Sequence, residues 1–247
     1  RIFSAKMPET LLRRINGEYF DQDFNRTTLE TGLENILNNK EAFIKPSWQT
    51  SFGAGTYLWR EEKGKQELLD YINNSKADLI FQKPVKQHED MAIFHPSSLN
   101  TLRIVSLRIK GEVVILNTIL RMGANNGVID NFSAGGVIAN VDKEGNLFAS
   151  NAQSTGKVLT EHPTTKVVFA GRTIPNFDQV IKSVKRQHNY IPFYRMVAWD
   201  FAVLEDGTPI LIEGNFPSGQ LDLHQLNIGG LFGEYTDQVL SEIYLNK

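Results

Sequence analysis

Asp200 and Glu213 stand on two apolar stretches of AWDFAVLEDGTPILIEGN, with Asp206-Gly207 midway between them. An Asp-Gly pair between such stretches is a strong hairpin signal, because Gly takes positive φ without strain. A two-residue turn there sets Glu205 against Thr208. Counting back then sets Asp200 directly opposite Glu213, with Asn215 on the same face. With Cβ atoms about 5 Å apart, the two carboxylates repel unless something positive lies between them. A hard divalent cation meets that need, since Mg2+ is held by one or two carboxylates plus substrate phosphates. On this argument Asp200→Asn or Glu213→Gln relieves repulsion and leaves the fold intact. The plain alternative is a pair of solvated acids on an exposed sheet face.

Other polar residues sit in places where chemistry is conceivable. Lys45 lies in the short apolar strand FIKP just before the Gly-rich SFGAGT. Its ammonium either snorkels to water or points at phosphates that the loop's N–H groups also bind. The G-x-x-x-x-G-K-[ST] pattern is absent. Arg103 and Arg121 flank the hairpin RIVSLRIKGEVVILNTILR. A three-residue loop, Lys110 to Glu112, puts them on one face, whereas a two-residue loop separates them. Sharing a face, their guanidinium forks could hold an anionic transition state; otherwise they are surface arginines. NFSAGG, with Asn131 and Ser133, is a turn or a close backbone approach to a ligand. The five histidines show no metal-binding spacing, and no G-x-S-x-G marks a nucleophile. The tryptophans, Trp48, Trp59 and Trp199, read as packing residues.

These residues need elements to hold them. RTTLETGLENILNNKEA carries a capping box, Thr27 to Glu30, and helical apolar spacing. A strand follows at FIKP, then a polar loop through PSWQTSFGAGTYLW, a helix at KGKQELLDYINNSK and a strand at DLIFQKPV. From Thr101 the pattern turns to antiparallel strands, TLRIVSLRI, VVILNTILRM, GGVIANV and LFASN. FDQVIKSVKRQHNY and GEYTDQVLSEIYL are helical. The order gives α+β lobes with mostly antiparallel sheets rather than a βαβ winding. We divide the chain into an N-terminal segment and helix (1–40), a small lobe (41–90) and a large lobe (91–247).

Composition narrows the function classes. A net charge of −2 offers no basic excess for a nucleic-acid partner. With no cysteine there is no disulfide framework, thiol nucleophile or thiolate metal site. No run of about 18 apolar residues predicts a membrane span, and the N-terminus lacks a signal peptide's apolar stretch. The chain reads as soluble and cytoplasmic.

In order and spacing, Lys45 before a Gly-rich loop, IFQKPV, NTLRIVSL, ILR, NFSAGG and WDFAV…LIEGN resemble the ATP-grasp superfamily. The acids with their intervening hairpin are similar to its magnesium motif. MPETLLRRINGEYFD, SLNTLRIVSL, HPTTKVVFAGRTIPNF and AWDFAV resemble the sugar-transfer-associated ATP-grasp proteins linked to surface-polysaccharide biosynthesis. The resemblance implies two α+β lobes that grip ATP, with two Mg2+ ions, or Mn2+ in their place. It assigns Lys45 and the Gly53/Gly55 loop to the phosphates. It makes Gln82 to Val85, with Lys83, the hinge that reads adenine, and Glu89 or Asp90 the ribose acid. Asp200, Glu213 and Asn215 become metal ligands, and Arg103, Arg121 and Asn131 catalytic residues. The implied activity is an ADP-forming carboxylate–amine ligase that passes through an acyl phosphate. Its substrates would be small-molecule carboxylates and amines, including a sugar, uronic acid or sugar nucleotide. The alternatives are a kinase acting on a hydroxyl and a non-catalytic nucleotide-binding partner of a glycosyltransferase. Such enzymes usually carry a preceding domain. Either one lies upstream or the first forty residues are what remains of it.

Overall fold

The computed structural model describes residues 2–47, 55–124, 136–216 and 219–244. Gly53, Asn131, Ser133 and Trp48 lie outside the described residues. The chain forms two compact units, one of Pro8–Val85 and one of Arg1–Met7 with Lys86–Lys247. The divisions expected at residues 40 and 90 are not where the chain parts. Residues 8–40 belong to the smaller unit, because they build strands of its sheet.

The smaller unit has a six-stranded antiparallel sheet. Its strands are β1 (Thr10–Ile15), β2 (Glu18–Phe20), β3 (Arg26–Thr27), β4 (Glu41–Pro46), β5 (Tyr57–Arg60) and β6 (Leu79–Gln82), in the order β3-β2-β1-β6-β4-β5. Helices α1 (Leu29–Asn39) and α2 (Gly64–Asn74) complete it. Leu12, Ile44, Trp59 and Phe81 join Leu33, Ile36, Leu68 and Ile72 of the helices in one core. Strand periodicity then puts Phe43, Lys45, Ile80 and Gln82 on the opposite face, since Phe43 pairs with Gln82 and Lys45 with Ile80. Helix α1 is capped by Thr28, whose side chain accepts from the Thr31 N–H, one residue beyond the expected Thr27. Gly32 lets α1 lie close on β1, since a Cβ there would stand 2.4 Å from Leu12 Cδ1.

The larger unit is built on a five-stranded antiparallel sheet in the order β13-β12-β7-β8-β9. These are β7 (Thr101–Ile109), β8 (Glu112–Met122), β9 (Val137–Val141), β12 (Met196–Val203) and β13 (Pro209–Asn215). A short helix, α3 (Glu89–Ala92), precedes them, and β10 (Asn151–Ala152) with β11 (Val158–Leu159) forms a small separate ladder. Only Asn151 of the expected strand LFASN falls in a named strand. Helix α4 (Phe177–Asn189) covers one sheet face, and Val180 and Val184 pack with Leu102, Ile104, Leu120, Trp199 and Phe201 in the main core. On the other face Val105, Ala198, Ile119 and Ile138 meet Leu231 and Leu223. Leu223 belongs to α5 (Leu221–Ile228), a helix the sequence reading missed. Helix α6 (Thr236–Tyr244) ends the described chain.

The β12–β13 hairpin differs from expectation at its turn, and both hairpins bring their candidate residues together at their far ends. Leu204 N–H donates to Thr208 O (3.0 Å), so the β12–β13 loop is Glu205–Gly207, three residues rather than two. Gly207 sits at φ +78, which its lack of a Cβ permits. Phe201 then pairs with Leu211 but Asp200 with Glu213, so Ile212 is an extra, bulged residue. In the β7–β8 hairpin Ile109 pairs with Glu112, leaving a two-residue loop, Lys110-Gly111, with both residues at positive φ (49° and 84°). Of the two loop lengths open in the sequence, this is the one that by counting alone separates the arginines. A bulge at Leu116 between the Ser106–Ile115 and Val105–Asn117 pairs restores the register in which Arg103 and Arg121 share a face.

Candidate active site

Asp200 lies at the centre of the polar face. Its strand neighbour Arg103 donates from Nε to Oδ1 at 2.8 Å and from Nη2 to Oδ2 at 2.6 Å. Arg121 Nη1 donates to the same Oδ2 at 3.2 Å. Asp200, Arg103 and Arg121 are only 3%, 5% and 7% exposed, so neither solvated acids nor surface arginines describes them. Burial alone raises the Asp200 carboxyl. Arg103 through charge and hydrogen bonds, Arg121 through charge and Glu213 through a hydrogen bond together outweigh this and hold the group below the usual carboxylate range.

Glu213 faces Asp200 across the hairpin as expected, with its side chain half exposed and Oε1 3.8 Å from Arg103 Nη2. Arg103 Nη2 therefore lies within reach of both acids, and Glu213 also hydrogen-bonds to Asp200. Positive charge beside the pair is thus supplied by the chain itself, and a metal assignment rests on the donor set. Asn215 Nδ2 lies 3.4 Å from Glu213 Oε1, so a carboxylate and an amide adjoin at the accessible rim. Among the described residues no three or more His, Cys, Asp or Glu gather as a metal cage. The residues fit Mg2+ in its usual manner, one or two carboxylates with the substrate's phosphates completing the shell.

Two residues of α5 join this site that sequence reasoning missed. Gln220, at the helix's N-terminal cap with φ 52, accepts from Arg103 Nη1 through Oε1 at 2.6 Å. His224 is fully buried, and Asn117 Nδ2 lies 3.1 Å from its Nδ1. Burial pushes His224 down to about 3, with Arg103 and Arg121 lowering it further and Asp200 opposing them, so the ring is neutral at pH 7. The one signal was a His and two Gln among the leucines of GQLDLHQLNI.

Of the remaining expected residues, Lys45, Gly55, Gln82, Lys83 and Val85 belong to the smaller unit and Glu89 and Asp90 to the larger. Lys45 is partly buried on the outer face of β4, beside Ile80. Gln82 is 5% exposed at the end of β6. Lys83 donates its backbone N–H to Glu9 O at 2.9 Å, and its Nζ lies 2.8 Å from Glu9 Oε1. Val85 is partly buried and is the last residue of the smaller unit. Gly55 stands at φ +74 and accepts a hydrogen bond from the Tyr71 hydroxyl. Glu89 and Asp90 are both exposed in the first turn of α3, and nothing in the geometry chooses between them.

The profile of the family described as sugar-transfer associated ATP-grasp matches residues 24–239, most of the chain. The chain belongs to this sugar-transfer-associated ATP-grasp family. No curated protein matches it in sequence. Among solved structures, this ATP-grasp chain is similar to N5-carboxyaminoimidazole synthetase from Staphylococcus aureus complexed with ADP. There the TM-score is 0.51 at 13% identity, covering 92% of this chain and 48% of that one. D-alanine-D-alanine ligase from Helicobacter pylori gives 0.51 at 15%, covering 95% and 55%. The biotin carboxylase domain of 2-oxoglutarate carboxylase from Hydrogenobacter thermophilus, in complex with MgADP, ADP and bicarbonate, gives 0.51 at 13%, covering 91% and 40%. At such identities the likeness establishes the fold, an ATP-grasp fold of α+β units with antiparallel sheets. The chain spans about half the length of these proteins.

Proposed function

We propose that the protein is an ADP-forming carboxylate–amine ligase. A substrate carboxylate oxygen attacks the γ-phosphorus of ATP, ADP leaves, and an amine displaces phosphate from the acyl phosphate to give an amide. The observation that carries this reading is the convergence of Arg103, Arg121 and Asp200, with Glu213 and Asn215 at the rim, on one face of the larger sheet. Among the described residues such a site offers fixed charges and no serine, threonine or cysteine nucleophile, which suits phosphoryl transfer, where catalysis is positioning and charge neutralisation.

Each part has a role in this reading. Asp200 fixes both guanidinium groups, so their charge is preorganised rather than recruited during reaction. Glu213 and Asn215, with Asp200 behind them, would hold Mg2+, which when bound would supply positive charge to the phosphates. Lys45 contributes an ammonium to the phosphates, with Gly53 and Gly55 in the covering loop and Asn131 near the transferred group. The backbone of Gln82, Lys83 and Val85 reads adenine, and an acid of the first turn of α3, Glu89 or Asp90, holds the ribose. ATP-grasp neighbours solved with ADP support the nucleotide. The family's description as sugar-transfer associated supports a setting in sugar transfer, within which we take a sugar or uronic acid as one partner and polysaccharide biosynthesis as the pathway class.

The test is incubation with ATP, Mg2+ and panels of sugar acids, amino acids and amines. ADP, phosphate and an amide together establish the ligase. A stable phosphoester establishes a kinase instead, and nucleotide binding without turnover establishes a binding module.

A further inference from the structure

Gln220 is the N-terminal cap residue of α5, yet its side chain does not cap the helix. Its Oε1 instead accepts from Arg103 Nη1 at 2.6 Å. A guanidinium has donors and no acceptor, so this contact settles which end of the amide faces Arg103. The oxygen is taken, and the amide keeps the N–H donors of Nε2 for another partner. Gln220 is partly exposed, and Nε2 bonds to none of the described residues. Arg103 turns its other terminal nitrogen, Nη2, to Asp200, with Glu213 Oε1 3.8 Å away. The amide therefore stands one guanidinium away from the accessible rim of the site.

This placement is built into the chain. Gly219 lies so close on β12 that a Cβ there would stand 2.8 Å from Ala198 Cβ, two residues along the strand from Asp200 and on the same face. Gln220 follows in the left-handed region, at φ 52 and ψ 53, where a residue with a Cβ is strained. Contacts of α5 with the sheet hold it there. Leu221 packs against Val105 and Ala198, Leu223 against Ile119 and Ile138, and Asn117 Nδ2 donates to His224 Nδ1 at 3.1 Å. That last bond leaves the proton of the neutral ring on Nε2. His224 Nε2 and the Nδ2 of Asn140, whose Oδ1 accepts from Asn117, are buried with no hydrogen-bond partner among the described residues. His224 is four residues on from Gln220 and so on the same side of α5. Uncharged N–H donors thus recur where α5 faces the sheet.

We propose that Gln220 determines the class of acid substrate: its Nε2 donates to a hydroxyl oxygen near the carboxyl group, so that the site takes a sugar acid in preference to an acid without hydroxyls. The inference rests on the ligase reading for the carboxylate and on the contacts of Gln220 for the selectivity. Arg103 and Arg121 already supply the charge that a carboxylate or phosphate needs. A neutral donor beside them discriminates by hydrogen bonding instead. An acid without the hydroxyl takes water from Nε2 and gives nothing back, and that cost falls on the wrong substrate.

The experiment is a titration followed by saturation-transfer NMR in the presence of Mg-ADP, which reads acid binding without turnover. The probes are glucuronate and tetrahydropyran-2-carboxylate, which keeps the ring and the carboxyl group but has no hydroxyl. Wild type should bind glucuronate about tenfold more tightly or better. Gln220→Met keeps the length of the side chain without the amide, and in it the ratio should fall to about threefold or less while the circular dichroism spectrum is unchanged. A merely structural Gln220 would weaken both acids alike and leave the ratio where it was. That result, equal binding of the two acids by wild type, or binding of neither would overturn the proposal. Selective binding of glucuronate that Gln220→Met removes, with no amide formed from any acid and amine, would sustain the proposal and overturn the ligase reading alone.

Discussion

Arg103 holds both carboxylate oxygens of Asp200, at 2.8 and 2.6 Å, in a place almost closed to water. This reverses the expected effect of neutralising the acid. Asp200→Asn removes the carboxylate that Arg103 holds at both oxygens and Arg121 at one, and breaking such a buried pair costs on the order of 3 kcal/mol. Urea unfolding of the variant should show that loss. A stability equal to or above wild type would mean that the arginines turn to other partners.

Arg121 makes one contact with Asp200 where Arg103 makes two, so Arg121→Ala leaves the acid paired. Amide formation should fall by about 2 kcal/mol of transition-state stabilisation or more, while the Kd for ATP stays within a few-fold. Steady-state kinetics beside direct ATP binding separate the cases. A parallel fall in both would make Arg121 a nucleotide-binding residue only.

Much of this site was legible because strand pairing is discrete. Asp200 opposite Glu213 followed from counting with a loop one residue too short, whereas Arg103 beside Arg121 depended on a loop length that the sequence left open. The bulge at Ile212 cancelled that miscount and the bulge at Leu116 brought the two arginines to one face across a two-residue loop, and nothing in local sequence marks either bulge. The β1–β2 hairpin was legible and overlooked. Asn16-Gly17 in RRINGEY carries the positive-φ pair of a two-residue turn. Strand β5 was hidden because TYLW directly follows the Gly-rich stretch and read as its tail. Helix α5 was missed because LDLHQLNI alternates apolar and polar residues and shows no stripe at 3.6 spacing. With it went Gln220 and His224, whose roles come from tertiary contacts alone.

His224 gives the fold an acid-side weakness. Its folded pKa, about 3, lies below the usual value of 6.5, so the unfolded chain binds the proton more readily. The contribution is complete above about pH 6.5 and is lost progressively as pH falls from there toward 3, at up to about 1.4 kcal/mol per unit. His162 and His188 are lowered by burial too and act with the same sign. In unfolding experiments from pH 7 to 4, His224→Asn should therefore show a shallower loss than wild type. Parallel curves would contradict a buried neutral ring.

Lys45 alternates with the buried Ala42 and Ile44 and is not part of the core of the smaller unit. Lys45→Met should weaken ATP binding at least tenfold and leave the melting temperature within a degree or two, since a phosphate-facing ammonium is not a packing element. Unchanged affinity, measured by calorimetry, would return it to a snorkelling lysine.

The central claim is that the face bearing Asp200, Glu213 and Asn215 receives the metal and phosphates of Mg-ATP. The most direct measurement is calorimetric titration of ATP with and without Mg2+ into wild type and Glu213→Gln. Glu213 suits the purpose because it is half exposed, and removing its charge leaves the buried Arg103–Asp200 pair intact. The account predicts that Mg2+ tightens ATP binding in wild type, and that Glu213→Gln loses most of this gain while its Mg2+-free affinity stays the same. An undiminished Mg2+ effect in Glu213→Gln would contradict it.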